Sequence, residues 1–200
     1  MGQRIIGLTG GIATGKSTVA HYLETHHKLP VLDADIYSRQ AVALGSPILR
    51  AIAQRYGPTI LLADGTLDRA QLGQLIFQDA TEKIWLEQQI HPFVRQCFAD
   101  EMARHAPALI VVQVIPLLFE ANLTDQVTEV WVVSCAAITQ RQRLMARNQL
   151  SPAAAEMRIQ NQWPLAQKAE RADVVLNNES TLGQLYQQID TALQGESLFP

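Results

Sequence analysis

Four glycines, a lysine and a serine crowd into GLTGGIATGKST, residues 7–18. Gly10, Gly15, Lys16 and Ser17 fit the spacing G-x-x-x-x-G-K-[ST]. That spacing suits a phosphate chain lying against backbone N–H groups, where bulky side chains would stand in the way. A helix that starts at the lysine turns its positive end toward the same phosphates. Lys16 then reaches the β- and γ-phosphates, and Ser17 offers a hydroxyl to Mg²⁺. A second group of interest is VLDADIYSRQ, in which Asp33 and Asp35 follow a short apolar run. A carboxylate at the carboxyl end of a strand, beside a phosphate loop, can orient an attacking hydroxyl or take its proton.

These groups need a scaffold. Short apolar runs at 4–9, 30–32, 109–115, 128–134 and 173–176 read as strands, with Asp33 and Asp35 just past the second. Most are continuously apolar, as expected of parallel strands covered on both faces. Helical spacing falls between them: Val19, Tyr22 and Leu23 after the glycines, and Leu182, Leu185, Tyr186, Ile189 and Leu193 near the end, behind a cap at Ser180 or Thr181. The interval 36–107 reads as all-helical and is too long for a loop. Within it Ser46-Pro47 and Asp68 start helices, Gly57-Pro58 stops one, Asp64-Gly65 marks a turn, and Pro92 kinks or starts another. The interval 138–172 is helical but poor in apolar residues. It carries Arg141, Arg143, Arg147, Arg158, Lys168 and Arg171, and reads as a mobile element outside the core.

Composition removes several classes of function. The chain has 200 residues, is 48% hydrophobic and carries a formal charge of −3. It can bury a real core, and it lacks the basic footprint of a nucleic-acid binder. The segment RIIGLTG near the start has no secretory pattern. The most apolar run, residues 108–119, is too short to span a bilayer and contains Gln113 and Pro116. Cys97 and Cys135 sit in apolar runs and read as buried thiols of a reducing compartment. The expectation is a cytoplasmic protein with no nucleic-acid or membrane partner. A GTP switch is disfavoured because D-x-x-G is missing after the third strand and N-K-x-D is missing throughout. A motor ATPase is disfavoured because Gln113 stands where its acid would sit.

GLTGGIATGKST, DADIYSRQ, DGTLDR, IHP and VIPLLFE, in that order, together with RQRLMARN and AQKAERADVVLNN, resemble the dephospho-CoA kinase family over nearly the whole chain. The resemblance implies an α/β, three-layer P-loop kinase fold with a five-stranded parallel sheet, a helical substrate domain and a helical lid. The core would comprise 1–35, 108–137 and 169–200, the dephospho-CoA-binding domain 36–107 and the lid 138–168. It implies transfer from MgATP to the ribose 3′-hydroxyl of dephospho-CoA, by a monomer or small homo-oligomer. Asp33 would be the catalytic base. Gly11, Ile12, Ala13 and Thr14 would line the ATP phosphates with Gly15, Lys16, Ser17 and Thr18, and Asn177, in the segment after the fifth strand, would border the adenine. Arg39, Arg69, His91, Pro92, Pro116, Leu117 and Glu120 match positions at or around the acceptor, and Arg143 and Arg147 match lid arginines.

The chain departs from the family pattern at Ala13 and Thr14, where glycine and serine are usual, and at Gln113, near the place of a common acid. Mg²⁺ would then rest on Ser17, phosphates and water, with Asp33 or Asp35 behind them. Plainer readings stand beside these. Arg143 and Arg147, four apart, also suit a solvated helix face; His91 suits a helix end, and Glu120 a local cap or pair. Trp85, Trp131 and Trp163 read as packing residues. Another small-molecule or nucleoside monophosphate kinase, and a non-catalytic nucleotide-binding module, are the alternative functions.

Overall fold

The computed structural model describes residues 2–195, so residue 1 and residues 196–200 of the expected core segments lie outside it. Two compact units emerge among the described residues, one formed by 2–33 with 105–195 and the other by 34–104.

The first unit is built on a parallel sheet. Its strands are β1 (Arg4–Gly10), β2 (Val31–Asp33), β3 (Ile110–Val114), β4 (Glu129–Ser134) and β5 (Val174–Asn177). Their order is β2-β3-β1-β4-β5, and every pair is parallel. Chain order reverses at β1, between β3 and β4, which opens a crevice at the carboxyl edge. Ile6, Leu8, Val112, Trp131, Val133 and Leu176 from the strands pack with Val19 and Leu23 of α1 (Lys16–Thr25) and with other helical side chains. These apolar runs are long enough to cross the sheet and are covered by helices, which is why their sequence shows little alternation. At the opposite edge Arg4 clasps three elements. Its guanidinium donates to Glu129 of β4 at 2.5 Å and to the carbonyls of Ala192 and Leu193 at 3.0 and 2.7 Å. Both carbonyls lie in the last turn of the helix Leu182–Leu193, and the Ala192 carbonyl also accepts from the Gly195 N–H at 3.2 Å.

The second unit begins with α2 (Ala34–Ala41), followed by α3 (Pro47–Tyr56), α4 (Arg69–Gln78) and α5 (Ala80–Arg104). The expected caps are made: Ser46 accepts from the Leu49 N–H at 3.0 Å, and Asp68 from the Gln71 N–H at 2.9 Å. Gly57 ends α3 at φ 84°. Val42, Leu49, Ile52, Ile60, Leu67, Leu72 and Leu86 form a core of its own. Over it Glu82 takes two hydrogen bonds from Arg55, at 2.6 and 2.7 Å, and one from the Tyr56 hydroxyl at 2.5 Å. Those donors hold the Glu82 carboxyl down at about 2. Trp85 packs edge-on against Tyr56, with the Arg55 guanidinium 4.6 Å from its ring centre.

Several local expectations change. The interval 36–107 is not wholly helical, because the Asp64-Gly65 turn closes a short antiparallel bridge between Leu61 and Leu67. Pro92 lies inside the 25-residue α5 and neither starts nor ends it. Cys135 is buried, but Cys97 is only half-buried. The segment after β4 folds into α6 (Ala137–Asn148), α7 (Pro152–Gln160) and α8 (Leu165–Ala169), and then α9 (Leu182–Leu193) follows β5. Thr181, not Ser180, accepts from the Gln184 N–H as the cap of α9, at 3.4 Å. Far from lying outside the core, this segment buries Leu144, Ala155 and Lys168 completely. Its few apolar groups are spent on inward positions, and the aliphatic stem of Lys168 supplies more.

Candidate active site

The loop between β1 and α1 is shaped by what its neighbours exclude. A Cβ on Gly10 would stand 2.4 Å from the Val133 carbonyl oxygen of the adjacent strand. A Cβ on Gly11 would stand 2.4 Å from the Gln140 amide nitrogen, and one on Gly15 would stand 2.1 Å from that of Asn178. Gly15 also has φ 101°, a conformation that costs a side chain about 1–2 kcal/mol. Ala13 accepts such a conformation, at φ 60°, where the family usually has glycine. Thr14 is fully buried, and its hydroxyl donates to the Gly11 carbonyl at 2.9 Å. Lys16 bends over the loop and donates to the carbonyls of Gly10 and Gly11 at 3.2 and 2.8 Å. Ser17 is exposed in the first turn of α1, with Thr18 half-buried beside it.

Three polar side chains from distant parts of the chain fix this loop, and the sequence offered no signal for them. Gln140 of α6 donates to the Ile12 carbonyl at 2.9 Å. Gln162 accepts from the Ile12 N–H at 2.7 Å. Asn178 donates to the Thr14 carbonyl at 2.8 Å and is itself buried. Asn177, the expected neighbour of the nucleotide, is the last residue of β5 and not part of the following segment. It is exposed, and its side chain accepts from the Glu179 N–H at 2.9 Å. Adjacent residues of an extended chain face opposite ways, which is why one Asn of the pair meets the loop and the other does not. Glu179 in turn accepts from the Ala136 N–H at 2.7 Å and the Thr139 hydroxyl at 2.6 Å. Those donors, with the start of α6 between them, hold its carboxyl below the ordinary range.

Asp33 closes β2, one position earlier than expected, and Asp35 lies in the first turn of α2. In the sheet register Asp33 pairs with Val114, and Val114 with Leu8, two residues before Gly10. The carboxylate and the phosphate loop therefore share the carboxyl edge of the sheet. Gln113 is buried inside β3, opposite Gly7 and Leu32.

The turn after β3 carries Pro116, Leu117 and Glu120. The Pro116 carbonyl accepts from the Thr9 hydroxyl at 3.2 Å and from the Lys168 ammonium at 3.3 Å. Lys168 is fully buried and lies 2.8 Å from Glu120 Oε1, which also accepts from the Trp163 N–H at 2.9 Å. Burial pushes the Glu120 carboxyl up, but the ammonium and the N–H outweigh it and leave the group below the ordinary range. Trp163 stacks on Phe119 at 6.0 Å, with the Arg171 guanidinium 4.9 Å from its ring centre. It packs, as does the fully buried Trp131.

The two α6 arginines differ. Arg143 is half-buried near Cys135, with Nη1 buried and lacking a hydrogen-bond partner. Burial raises the Cys135 thiol, and the guanidinium partly offsets that. Arg147 is exposed and donates to Asn148 at 2.9 Å. Within the second unit, Arg69 donates to the Arg39 carbonyl at 3.4 Å, while His91 and Pro92 are exposed midway along α5.

A parallel sheet with a glycine-lined phosphate loop on its middle strand, a lysine over that loop and a carboxylate on the same edge defines a P-loop kinase. The sequence profile of dephospho-CoA kinase matches residues 4–184, and the chain belongs to that family. A dephospho-CoA kinase of Synechococcus elongatus is 56% identical over 192 residues, covering 96% of this chain and 92% of its relative. Among solved structures, TT1252 from Thermus thermophilus superposes with a TM-score of 0.83 at 32% identity, over 98% of this chain and 100% of its own. A dephospho-CoA kinase from Campylobacter jejuni shares the fold at a TM-score of 0.69 and 24% identity, over 95% of each chain. Among the described residues no helix is long and apolar enough to cross a membrane.

Proposed function

We propose that this chain transfers the γ-phosphoryl group of ATP to the ribose 3′-hydroxyl of dephospho-CoA, completing coenzyme A. The observation that carries the reading is the loop at 10–18, whose backbone is kept bare at Gly10, Gly11 and Gly15 on the edge that also holds Asp33. Family membership supplies the acceptor.

The loop N–H groups and the start of α1 hold the phosphates, and Lys16 places its charge on the transferring end. Asn177 borders the adenine, with Asn178 holding the loop beneath it. Mg²⁺ keeps most of its waters and takes few protein oxygens when phosphates are present. The exposed Ser17 hydroxyl fits that need, and among the described residues no group of three or more His, Cys, Asp or Glu forms a protein cage. Bound there, Mg²⁺ would supply charge neutralisation at the phosphates. Asp33 aligns the 3′-hydroxyl and takes its proton as the oxygen bonds to γ-phosphorus; the bond from γ-phosphorus to the β–γ bridging oxygen breaks, and ADP leaves. Arg39, Arg69, His91 and Pro92 from the helical domain, and Pro116, Leu117 and Glu120 from the turn after β3, hold dephospho-CoA. The segment 138–168 acts as the lid that brings Arg143 or Arg147 to the transferring group and keeps water out. The enzyme works in the cytoplasm as a monomer or small homo-oligomer.

One assay tests this. With MgATP, the purified chain should convert dephospho-CoA to coenzyme A, seen as a 3′-phosphorylated product by mass and by nuclease-free phosphate mapping. Nucleoside monophosphates should leave ATP unconsumed. Absence of coenzyme A, or equal turnover of a monophosphate, would overturn the proposal.

A further inference from the structure

Lys168 is fully buried, yet its ammonium could have been replaced by a methionine of similar reach. Removing a charge from water costs several kcal/mol, and buried ion pairs are often no more stable than apolar side chains of the same volume. Stability alone is a poor reason for it, which leaves geometry. Its two partners belong to one turn: Glu120 Oε1 at 2.8 Å and the Pro116 carbonyl at 3.3 Å.

That turn is tied to the phosphate loop through both of its ends. Pro116 shares its carbonyl with Thr9, the residue before Gly10. Glu120 shares Oε1 with the Trp163 N–H, and the preceding residue, Gln162, accepts from the Ile12 N–H. The path Thr9–Pro116–Lys168–Glu120–Trp163–Gln162–Ile12 closes on itself through Gly10 and Gly11. Lys168 is the one group in that ring that bonds the turn at two points. Glu120 Oε2 is also buried and has no hydrogen-bond partner, so the carboxylate keeps one acceptor in hand.

We propose that Lys168 is a positioning residue for phosphoryl transfer: its buried ammonium holds the turn 116–120, through the Pro116 carbonyl and Glu120, at the setting in which that turn receives the acceptor. This rests on the reading that Pro116, Leu117 and Glu120 border dephospho-CoA. Lys168 does not touch the reacting atoms. Its effect falls on the acceptor, because the phosphate loop keeps its own ties to Gln140 and Asn178.

The test compares wild type, K168M, E120Q and K168M/E120Q in steady-state turnover of dephospho-CoA at saturating MgATP. Binding of a non-hydrolysable ATP analogue and thermal melting are measured on the same samples. Wild-type conversion is measured first, so a failure of the functional reading shows there alone. K168M should lower kcat/KM for dephospho-CoA by about 10–100-fold, the scale of a misplacement near 1 Å, with the analogue Kd within about 3-fold of wild type. Because the lysine acts through Glu120, the double variant should lose no more than the worse single variant. Wild-type acceptor kinetics in K168M, a parallel loss of analogue binding, or losses that multiply in the double variant would each overturn the proposal. Should K168M fail to fold, K168Q takes its place: a loss of acceptor kcat/KM with analogue binding kept supports the proposal, and wild-type acceptor kinetics overturn it.

Discussion

Gly15→Ala is the sharpest single test of the loop. The residue sits at φ 101° and ψ 23°, and its added Cβ would lie 2.1 Å from Asn178 Nδ2. Left-handed backbone costs alanine about 1–2 kcal/mol. The clash is with an amide that donates to the buried Thr14 carbonyl at 2.8 Å, so the amide must withdraw. Leaving that carbonyl without its donor costs about 1–3 kcal/mol more. The total is roughly 2–5 kcal/mol, and in a chain of this size each kcal/mol lowers the melting temperature by about 2–4 °C. Asn178→Ala should cost only the hydrogen-bond share. The double variant G15A/N178A should then be about as unstable as G15A alone, because the same bond cannot be lost twice. Urea and thermal melts of the four proteins measure this, with ATP-analogue binding falling in step for G15A. A G15A protein within about 0.5 kcal/mol of wild type, or strict additivity in the cycle, would refute the reasoning.

Asp33→Asn should lower kcat by about 10²–10⁴-fold while analogue binding is retained; near-normal turnover would remove Asp33 as base. Arg147→Ala should slow transfer more than it weakens dephospho-CoA binding, and the reverse pattern in steady-state and binding measurements would make it an acceptor ligand. Glu82→Gln should flatten the acid side of the stability curve. The Glu82 carboxyl is held at about 2 against an ordinary 4.5, so its contribution is whole above pH 4.5 and is lost as pH falls toward 2. Unchanged acid unfolding by circular dichroism in that variant would contradict the Arg55–Tyr56–Glu82 network.

The strands were readable because each is a run of apolar residues with a physical reason to be continuous, and the loop because its chemistry demands a fixed spacing. The helix starts at Ser46 and Asp68 followed from local rules that need only three or four residues. What stayed hidden is long-range and polar. Gln162 meets Ile12 across 150 positions, and Asn178 meets Thr14 across 164. Nothing in a glutamine among glutamines says which carbonyl or N–H it will find. Lys168 was visible only as one more positive charge in a polar stretch, and the partner that makes its burial tolerable lies 48 residues earlier, at Glu120. The buried tie of Asn178 to Thr14 stayed hidden for a smaller reason: it hangs on the exact residue at which a strand stops, which is Asn177.

The placement of β1 bears on how the chain is made. Among the described residues its sheet partners are β3 and β4, which begin at residues 110 and 129. On the ribosome the strand that leads into the glycine loop therefore emerges well before either neighbour. The stretch 34–104, with its own apolar centre, can settle in the interval. Growth conditions that slow translation before residue 129 would prolong the time during which RIIGLTG stays without its sheet partners.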